Sequence, residues 1–184
     1  MFIKKKNYYF YVDSTKSINL NLIKKNQKIS IIYRNLSKKE SFDKVAKFKK
    51  ECKKKKFKFY VANNYALAKK IRGDGLYLSA YNKKIYHNIN VIGSAHNFQE
   101  INQKIAQKCK IVVLSRLFKV DKKDKKGFLN IIKFNLICQK YNIKILPLGG
   151  IKEKNLLKLN LLKADSFALL NEIKKKPVIA NRLF

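Results

Sequence analysis

Short apolar runs recur along this chain, and each stops on a small polar residue, an arginine or a glycine. Tyr8 to Val12 ends at Asp13, and Ile29 to Tyr33 ends on Arg34-Asn35. Phe57 to Ala62 ends on Asn63-Asn64, Leu76 to Leu78 at Ser79, and Asn90 to Ile92 on the turn Gly93-Ser94-Ala95-His96. Ile111 to Leu114 ends on Ser115-Arg116, Ile143 to Leu148 on Gly149-Gly150, and Ser166 to Leu170 at Asn171. Continuous runs of β-branched and aromatic residues fit strands covered on both faces, as a parallel sheet requires.

The segments between them carry helical spacing. Ser41 opens a stripe of Phe42, Val45, Ala46, Phe48 and Cys52, which Lys53 to Lys56 closes with cations suited to a helix C-terminus. Tyr65 to Ile71 is a short helix broken by Gly73-Asp74-Gly75. Phe98, Ile101, Ile105 and Ala106 form one further stripe, and Phe128, Ile131, Ile132, Leu136 and Ile137 another. Leu156, Leu157, Leu159, Leu161 and Leu162 form the last. Ser14 to Lys28 is poorly patterned and allows only a short helix around Leu20, Leu22 and Ile23. Strand and helix alternating eight times predicts a single (β/α)8 TIM barrel over residues 1–184, with abbreviated helices. A doubly wound open sheet is the competing arrangement.

Composition narrows the function classes. The formal net charge of +33 comes almost wholly from lysine, the arginines being Arg34, Arg72, Arg116 and Arg182. Such a surface attracts polyanions nonspecifically at low salt, but no nucleic-acid-binding motif accompanies it. The lysine runs Lys53 to Lys56 and Lys174 to Lys176 read as solvated faces, and His87 as a solvated loop residue. Cys52, Cys109 and Cys138 are odd in number and lack metal-ligand spacing, which fits reduced, buried thiols in a cytoplasmic protein. No apolar run approaches the roughly 20 residues of a membrane span, and Met1 to Lys6 leads into no signal-peptide core.

In a barrel of this kind, ligands bind at the C-terminal ends of the strands. That rim gathers Asp13, Arg34, Asn63, Asn64, Ser79, Ser94, His96, Ser115, Arg116, Gly149, Gly150 and Asn171. Ile143 to Ile151 is a strand, a Gly-Gly pair and a helix start. The glycines clear side chains from backbone N–H groups, and the helix end adds positive potential, so phosphate is the natural ligand. A plain turn is the other reading. Arg34 is an anion ligand or a rim ion-pair partner. Asn63-Asn64 bind a ligand or cap the helix from Tyr65. Arg116 reaches an anion or neighbouring backbone. His96 shuttles a proton or caps the next helix. The loop Lys119 to Lys126 follows the sixth strand, where a barrel places a lid, so a lysine there is a candidate ligand.

From about Tyr9 to Ile173 the chain resembles the thiamine-phosphate synthase and thiazole tautomerase (TenI-like) superfamily. The matching stretches, in order, are Tyr11-Val12-Asp13, Ile32-Tyr33-Arg34-Asn35 and Val61-Ala62-Asn63-Asn64. Gly73-Asp74-Gly75-Leu76-Tyr77-Leu78, Gly93-Ser94-Ala95-His96, Leu148-Gly149-Gly150-Ile151 and Ala164-Asp165-Ser166-Phe167-Ala168 follow. The resemblance implies a transferase that joins hydroxymethylpyrimidine diphosphate to thiazole phosphate with loss of pyrophosphate. It implies that Arg34, Asn63, Ser94 and a lysine such as Lys122 or Lys126 hold pyrophosphate, and that Gly149 and Gly150 hold the thiazole phosphate. Asn64 and Asn171 complete the implied phosphate-binding set.

The departures from the pattern are specific. The two Mg²⁺ aspartates of the family fall on Asn64 and Asn82, neutral amides that are poorer ligands for a hard cation. The glutamine before the arginine is Ile32, the lysine after it Leu36, the histidine after strand four Tyr77, and the serine after strand eight Asn171. The resemblance therefore also admits two other readings. One is a thiazole tautomerase-like isomerase, in which His96 moves a proton without a metal pair. The other is a barrel that has lost catalysis and binds a phosphorylated ligand.

Overall fold

The computed structural model describes residues 7–26, 28–35, 40–120 and 127–182. Eight strands are present: β1 (Asn7–Val12), β2 (Ile29–Tyr33), β3 (Lys58–Ala62), β4 (Gly75–Leu78), β5 (Val91–Ala95), β6 (Ile111–Ser115), β7 (Lys144–Leu148) and β8 (Ser166–Leu169). Every ladder between them is parallel, in the order β7-β6-β5-β4-β3-β2-β1-β8. The last strand thus returns to the first, with Tyr8 opposite Phe167 and Phe10 opposite Leu169. β7 and β8 lie side by side without a ladder, so the sheet is a nearly closed barrel. A doubly wound sheet would reverse its strand order part way along; this one does not.

Five α-helices lie among the described residues. They are α1 (Phe42–Lys54), α2 (Tyr65–Lys70), α3 (Phe98–Ala106), α4 (Asn130–Lys140) and α5 (Asn171–Lys175). The segment after β1 makes only a 3₁₀ turn at Leu20–Leu22, the one after β7 is a 3₁₀ helix at Glu153–Leu161, and no helix joins β4 to β5. The leucine-rich stretch after Gly149-Gly150 therefore starts no α-helix, contrary to its spacing. The turn expected at Gly93-Ser94-Ala95 is the second half of β5. On α4 the buried face is Phe134 and Ile137, while Ile132 and Leu136 are exposed and Phe128 precedes the helix.

Each strand alternates between two cores. Residues Tyr8, Phe10, Ile29, Ile31, Phe59, Leu76 and Val112 face outward. There they meet Val45, Phe48 and Cys52 of α1, Ala68 of α2, Ile101 of α3 and Phe134 of α4. Their alternates fill the barrel: Tyr9, Tyr11, Ile32, Tyr60, Tyr77, Ile92, Val113, Leu146 and Ala168. Four tyrosines stand where such barrels usually carry branched aliphatics. Their length fills the interior and crowds Gly75: a Cβ there would lie 2.6 Å from the Tyr60 ring and 2.5 Å from the Asn90 carbonyl oxygen. Asp74 accepts from the Phe59 backbone N–H through Oδ2 and donates its own N–H to the Phe59 carbonyl, both at 2.8 Å. The Gly-Asp-Gly stretch is thus a fastening between β3 and β4.

Candidate functional site

Arg34, Asn63, Asn64, Ser94, His96, Gly149, Gly150 and Asn171 all lie at or just past the C-terminal ends of strands, on one end of the barrel. Lys122 and Lys126 lie outside the described residues. Around that end the side chains fall into separate groups.

At the barrel mouth, Arg34 follows β2 on the inward-facing side, and its guanidinium lies 5.3 Å from the centre of the Tyr11 ring. Tyr11 is fully buried and packs edge-on against Tyr77, with ring centres 5.4 Å apart. Burial pushes both hydroxyls up in pKa, and the Arg34 charge acts on each in the opposite sense. The buried Ser94 hydroxyl lies beside Tyr77 and points at the Leu78 carbonyl at 3.5 Å. The Tyr77 hydroxyl is near Tyr11 Oη but outside hydrogen-bond geometry. Tyr11 Oη and Arg34 Nε are thus buried polar atoms without a partner among the described residues.

The β3–β4 rim is an amide cluster. Asn63 adopts a left-handed backbone (φ 54°), and its Oδ1 accepts from the Ser79 N–H at 3.0 Å and from Asn82 Nδ2 at 3.2 Å. Asn64 caps α2 through the Leu67 N–H at 2.9 Å, so the capping reading holds for it. Asn82 Oδ1 accepts from the Lys84 N–H at 2.9 Å. Beneath them Lys104, which is fully buried, donates to the Asn82 carbonyl and to Gln107 Oε1, both at 2.8 Å. Burial lowers its pKa. The stripe expected on α3 put Ile105 and Ala106 inside; the structure exposes both and buries Lys104. The only signal for it in the sequence was its place three residues after Ile101.

A magnesium ion fits this cluster poorly. Mg²⁺ demands near-octahedral oxygen ligands, usually including a carboxylate. Here the Oδ1 atoms of Asn63, Asn64 and Asn82 already accept backbone N–H groups, and among the described residues no group of three His, Cys, Asp or Glu side chains comes together.

Past β5, one carboxylate oxygen serves two purposes. Glu100 Oε2 accepts the His96 backbone N–H at 2.6 Å and lies 2.9 Å from His96 Nδ1, while Asn97 caps α3 by accepting the Glu100 N–H. A carboxylate facing Nδ1 orients the ring by accepting from that nitrogen and turns Nε2 away from it, and the imidazole is half exposed. Glu100 was not among the residues expected at this site, although Asn97-x-x-Glu100 has the spacing of a capping box.

Past β7, the glycines serve close packing. Gly149 and Gly150 have φ of 97° and 69°; a Cβ on Gly150 would sit 2.4 Å from the Phe118 carbonyl, and one on Gly149 3.1 Å from Arg116 Cγ. Arg116 reaches backbone, donating to the Gly127 carbonyl at 3.2 Å. Asn155 Nδ2 holds the Gly150 carbonyl at 2.9 Å. Across the first and last strands, Lys174 pairs with Asp13, and Lys176 with Glu153 at 2.7 Å. Those two lysines are therefore ion-paired rather than simply solvated.

Two cavities lie away from this rim. One, of about 260 Å³, is lined by Thr15, Lys16, Asn19 and Glu51. The other, of about 610 Å³, is lined by Lys69, Arg72, Asp74, Asn90 and Lys110 near the N-terminal ends of β4 and β5. Among the described residues, no helix is long and apolar enough to cross a membrane.

A family model described as thiamine monophosphate synthase matches residues 13–173. No curated protein matches the sequence significantly. Among solved structures, the fold is similar to a thiamine phosphate pyrophosphorylase from Pyrococcus furiosus, with a TM-score of 0.74 and 16% identity, covering 98% of this chain and 96% of that one. A thiamine phosphate pyrophosphorylase from Bacteroides thetaiotaomicron gives 0.67 and 14%, covering 97% and 93%. A 3-hexulose-6-phosphate synthase gives 0.68 and 14%, covering 96% of each chain.

Proposed function

The chain belongs to the thiamine monophosphate synthase family, and from that membership we propose that its barrel mouth binds phosphorylated thiamine precursors and joins them. In that reaction the carbon–oxygen bond of hydroxymethylpyrimidine diphosphate breaks, pyrophosphate departs, and the ring nitrogen of thiazole phosphate forms the new bond to the freed carbon. The observation that carries the reading is Arg34. It is a cation at the C-terminal mouth, with a donor, Nε, that no described residue accepts from. A guanidinium offers a planar set of donors matched to phosphoryl oxygens. Arg34 stabilises the departing pyrophosphate, since the amides at positions 63, 64 and 82 suit Mg²⁺ poorly.

The test is incubation of the full chain with both precursors, following thiamine phosphate and pyrophosphate. The expected result is product formation that persists in excess chelator and falls at least about a hundredfold in Arg34→Ala, the scale of losing a charge-assisted contact made in the transition state. No product at any Mg²⁺ concentration overturns the reading.

The His96–Glu100 pair supports a second reading, thiazole tautomerase-like isomerisation. It needs a proton-shuttling side chain and no metal, and His96, held by Glu100 through Nδ1, offers its other ring nitrogen to a ligand. Solvent deuterium incorporation into thiazole carboxylate phosphate, lost in His96→Asn, separates it from the transferase.

A further inference from the structure

We propose that Tyr11 is a ligand-binding residue: its hydroxyl and Arg34 Nε together receive an anionic oxygen of the phosphorylated ligand at the barrel mouth. The inference rests on the reading that this mouth takes such a ligand, and it adds a donor from inside the barrel wall. Tyr11 occupies an inward position of β1 between apolar neighbours, where an aliphatic side chain would fill the space without polar cost. Instead a hydroxyl is buried there without a partner among the described residues, on a ring 5.3 Å from a guanidinium whose Nε is also buried without one. A buried unsatisfied polar group costs about 1–3 kcal/mol, and native proteins tolerate few. Two such donors, adjacent and at the end of a barrel where ligands bind, point to one missing acceptor.

The chemistry of that acceptor follows from the donors. Arg34 carries only donors, and burial keeps the Tyr11 hydroxyl protonated, so both groups seek lone pairs. A phosphoryl oxygen supplies lone pairs and negative charge together. The resting protein keeps Arg34 folded onto the Tyr11 ring as a cation–π contact. An arriving anion draws the guanidinium off the ring and uncovers the hydroxyl beneath it. Ser94 and Tyr77 flank the same spot and orient the tyrosine pair.

The test uses the full chain and its Tyr11→Phe variant, which keeps the ring and removes only the orphan oxygen. Inorganic pyrophosphate is titrated into each by calorimetry, and each is melted without ligand. The expected result is a Kd about ten- to a hundredfold weaker for Tyr11→Phe, the scale of one hydrogen bond to a charged group. Its ligand-free melting temperature is unchanged or higher. Equal affinities overturn the proposal, as does a lower ligand-free melting temperature, which would show the hydroxyl already partnered. Absence of pyrophosphate binding by the unaltered chain overturns it too. Equal affinities with normal precursor turnover remove Tyr11 alone and leave the proposed function standing. Tyr11-dependent binding without turnover removes the transferase reading and leaves Tyr11.

Discussion

The Asn82 side-chain amide donates to Asn63 Oδ1 at 3.2 Å, so the loops after β3 and β4 are tied to each other by neutral groups. The same Oδ1 also accepts the Ser79 N–H, and Asn63 holds a left-handed backbone to do so. Asn63→Ala loses both bonds and leaves a less suitable residue in that backbone region. The expected cost is about 2 kcal/mol, combining a lost hydrogen-bonded group with the left-handed penalty. Asn63→Gly keeps the backbone and loses only the bonds, so it costs less. Urea unfolding of the two variants checks the order.

Placing carboxylates at Asn64 and Asn82 changes the chemistry of the same rim. The double variant Asn64→Asp, Asn82→Asp removes the amide donor to Asn63 and supplies two charged oxygens of the kind Mg²⁺ prefers. A Mg²⁺-dependent rise in melting temperature is expected for the double variant and not for the parent chain. Differential scanning calorimetry across millimolar Mg²⁺ measures it.

Much of the barrel was legible because its strands are unbroken apolar runs. β2 was placed residue for residue, and most other strands to within a residue at either end. β5 was cut short because Gly93 and Ser94 look like turn residues; glycine is there because Lys104 lies against it. The linking helices were harder to place. Leucines between residues 156 and 162 have helical spacing, but the short span between β7 and β8 takes a tighter 3₁₀ path. The rim positions of Arg34, Asn63 and His96 followed from the strand ends. Their partners did not, because Tyr11, Asn82 and Glu100 reach them only through side-chain directions that the fold sets. The Gly-Gly turn pointed toward phosphate in the sequence, whereas in the structure it first of all lets two loops touch.

Lys104 supports the Asn82 loop from below. Lys104→Met keeps much of the stem's packing and leaves Gln107 Oε1 and the Asn82 carbonyl with fewer donors. A loss of about 1–3 kcal/mol is expected, with faster amide exchange across residues 80–84 than elsewhere. Gly93→Ala reaches the same contact from the other side, since its Cβ would stand 2.7 Å from Lys104 Cδ. Hydrogen exchange by mass spectrometry on both variants tests the shared support.

Burial pushes the Cys109 and Cys138 thiols up to about 11, from 9.0. Between those values the unfolded chain releases protons that the folded chain keeps. Raising the pH therefore favours unfolding, and the thiol contribution to stability is complete below about pH 9 and lost as pH rises through about 11. The stability difference between the parent and Cys109→Ala, Cys138→Ala should shrink over that window. Denaturant midpoints from pH 8 to about 11 record it, with alkylation rates of the native thiols rising late over the same range.

Gly150 and Gly127 separate the two reasons for a glycine. Both have positive φ, 69° and 78°, so alanine at either suffers the same backbone strain, about 1 kcal/mol. At Gly127 an added Cβ meets nothing within 4 Å. At Gly150 it would fall 2.4 Å from the Phe118 carbonyl and 2.6 Å from that of Lys119, both backbone atoms that no side-chain rotation can relieve. The β6 and β7 loops must then part. Gly127→Ala should cost about 1 kcal/mol, and Gly150→Ala at least about 2 kcal/mol more. If the two variants unfold at the same denaturant concentration, the contact between these loops contributes nothing to stability, and the Gly-Gly turn is free to serve a ligand instead.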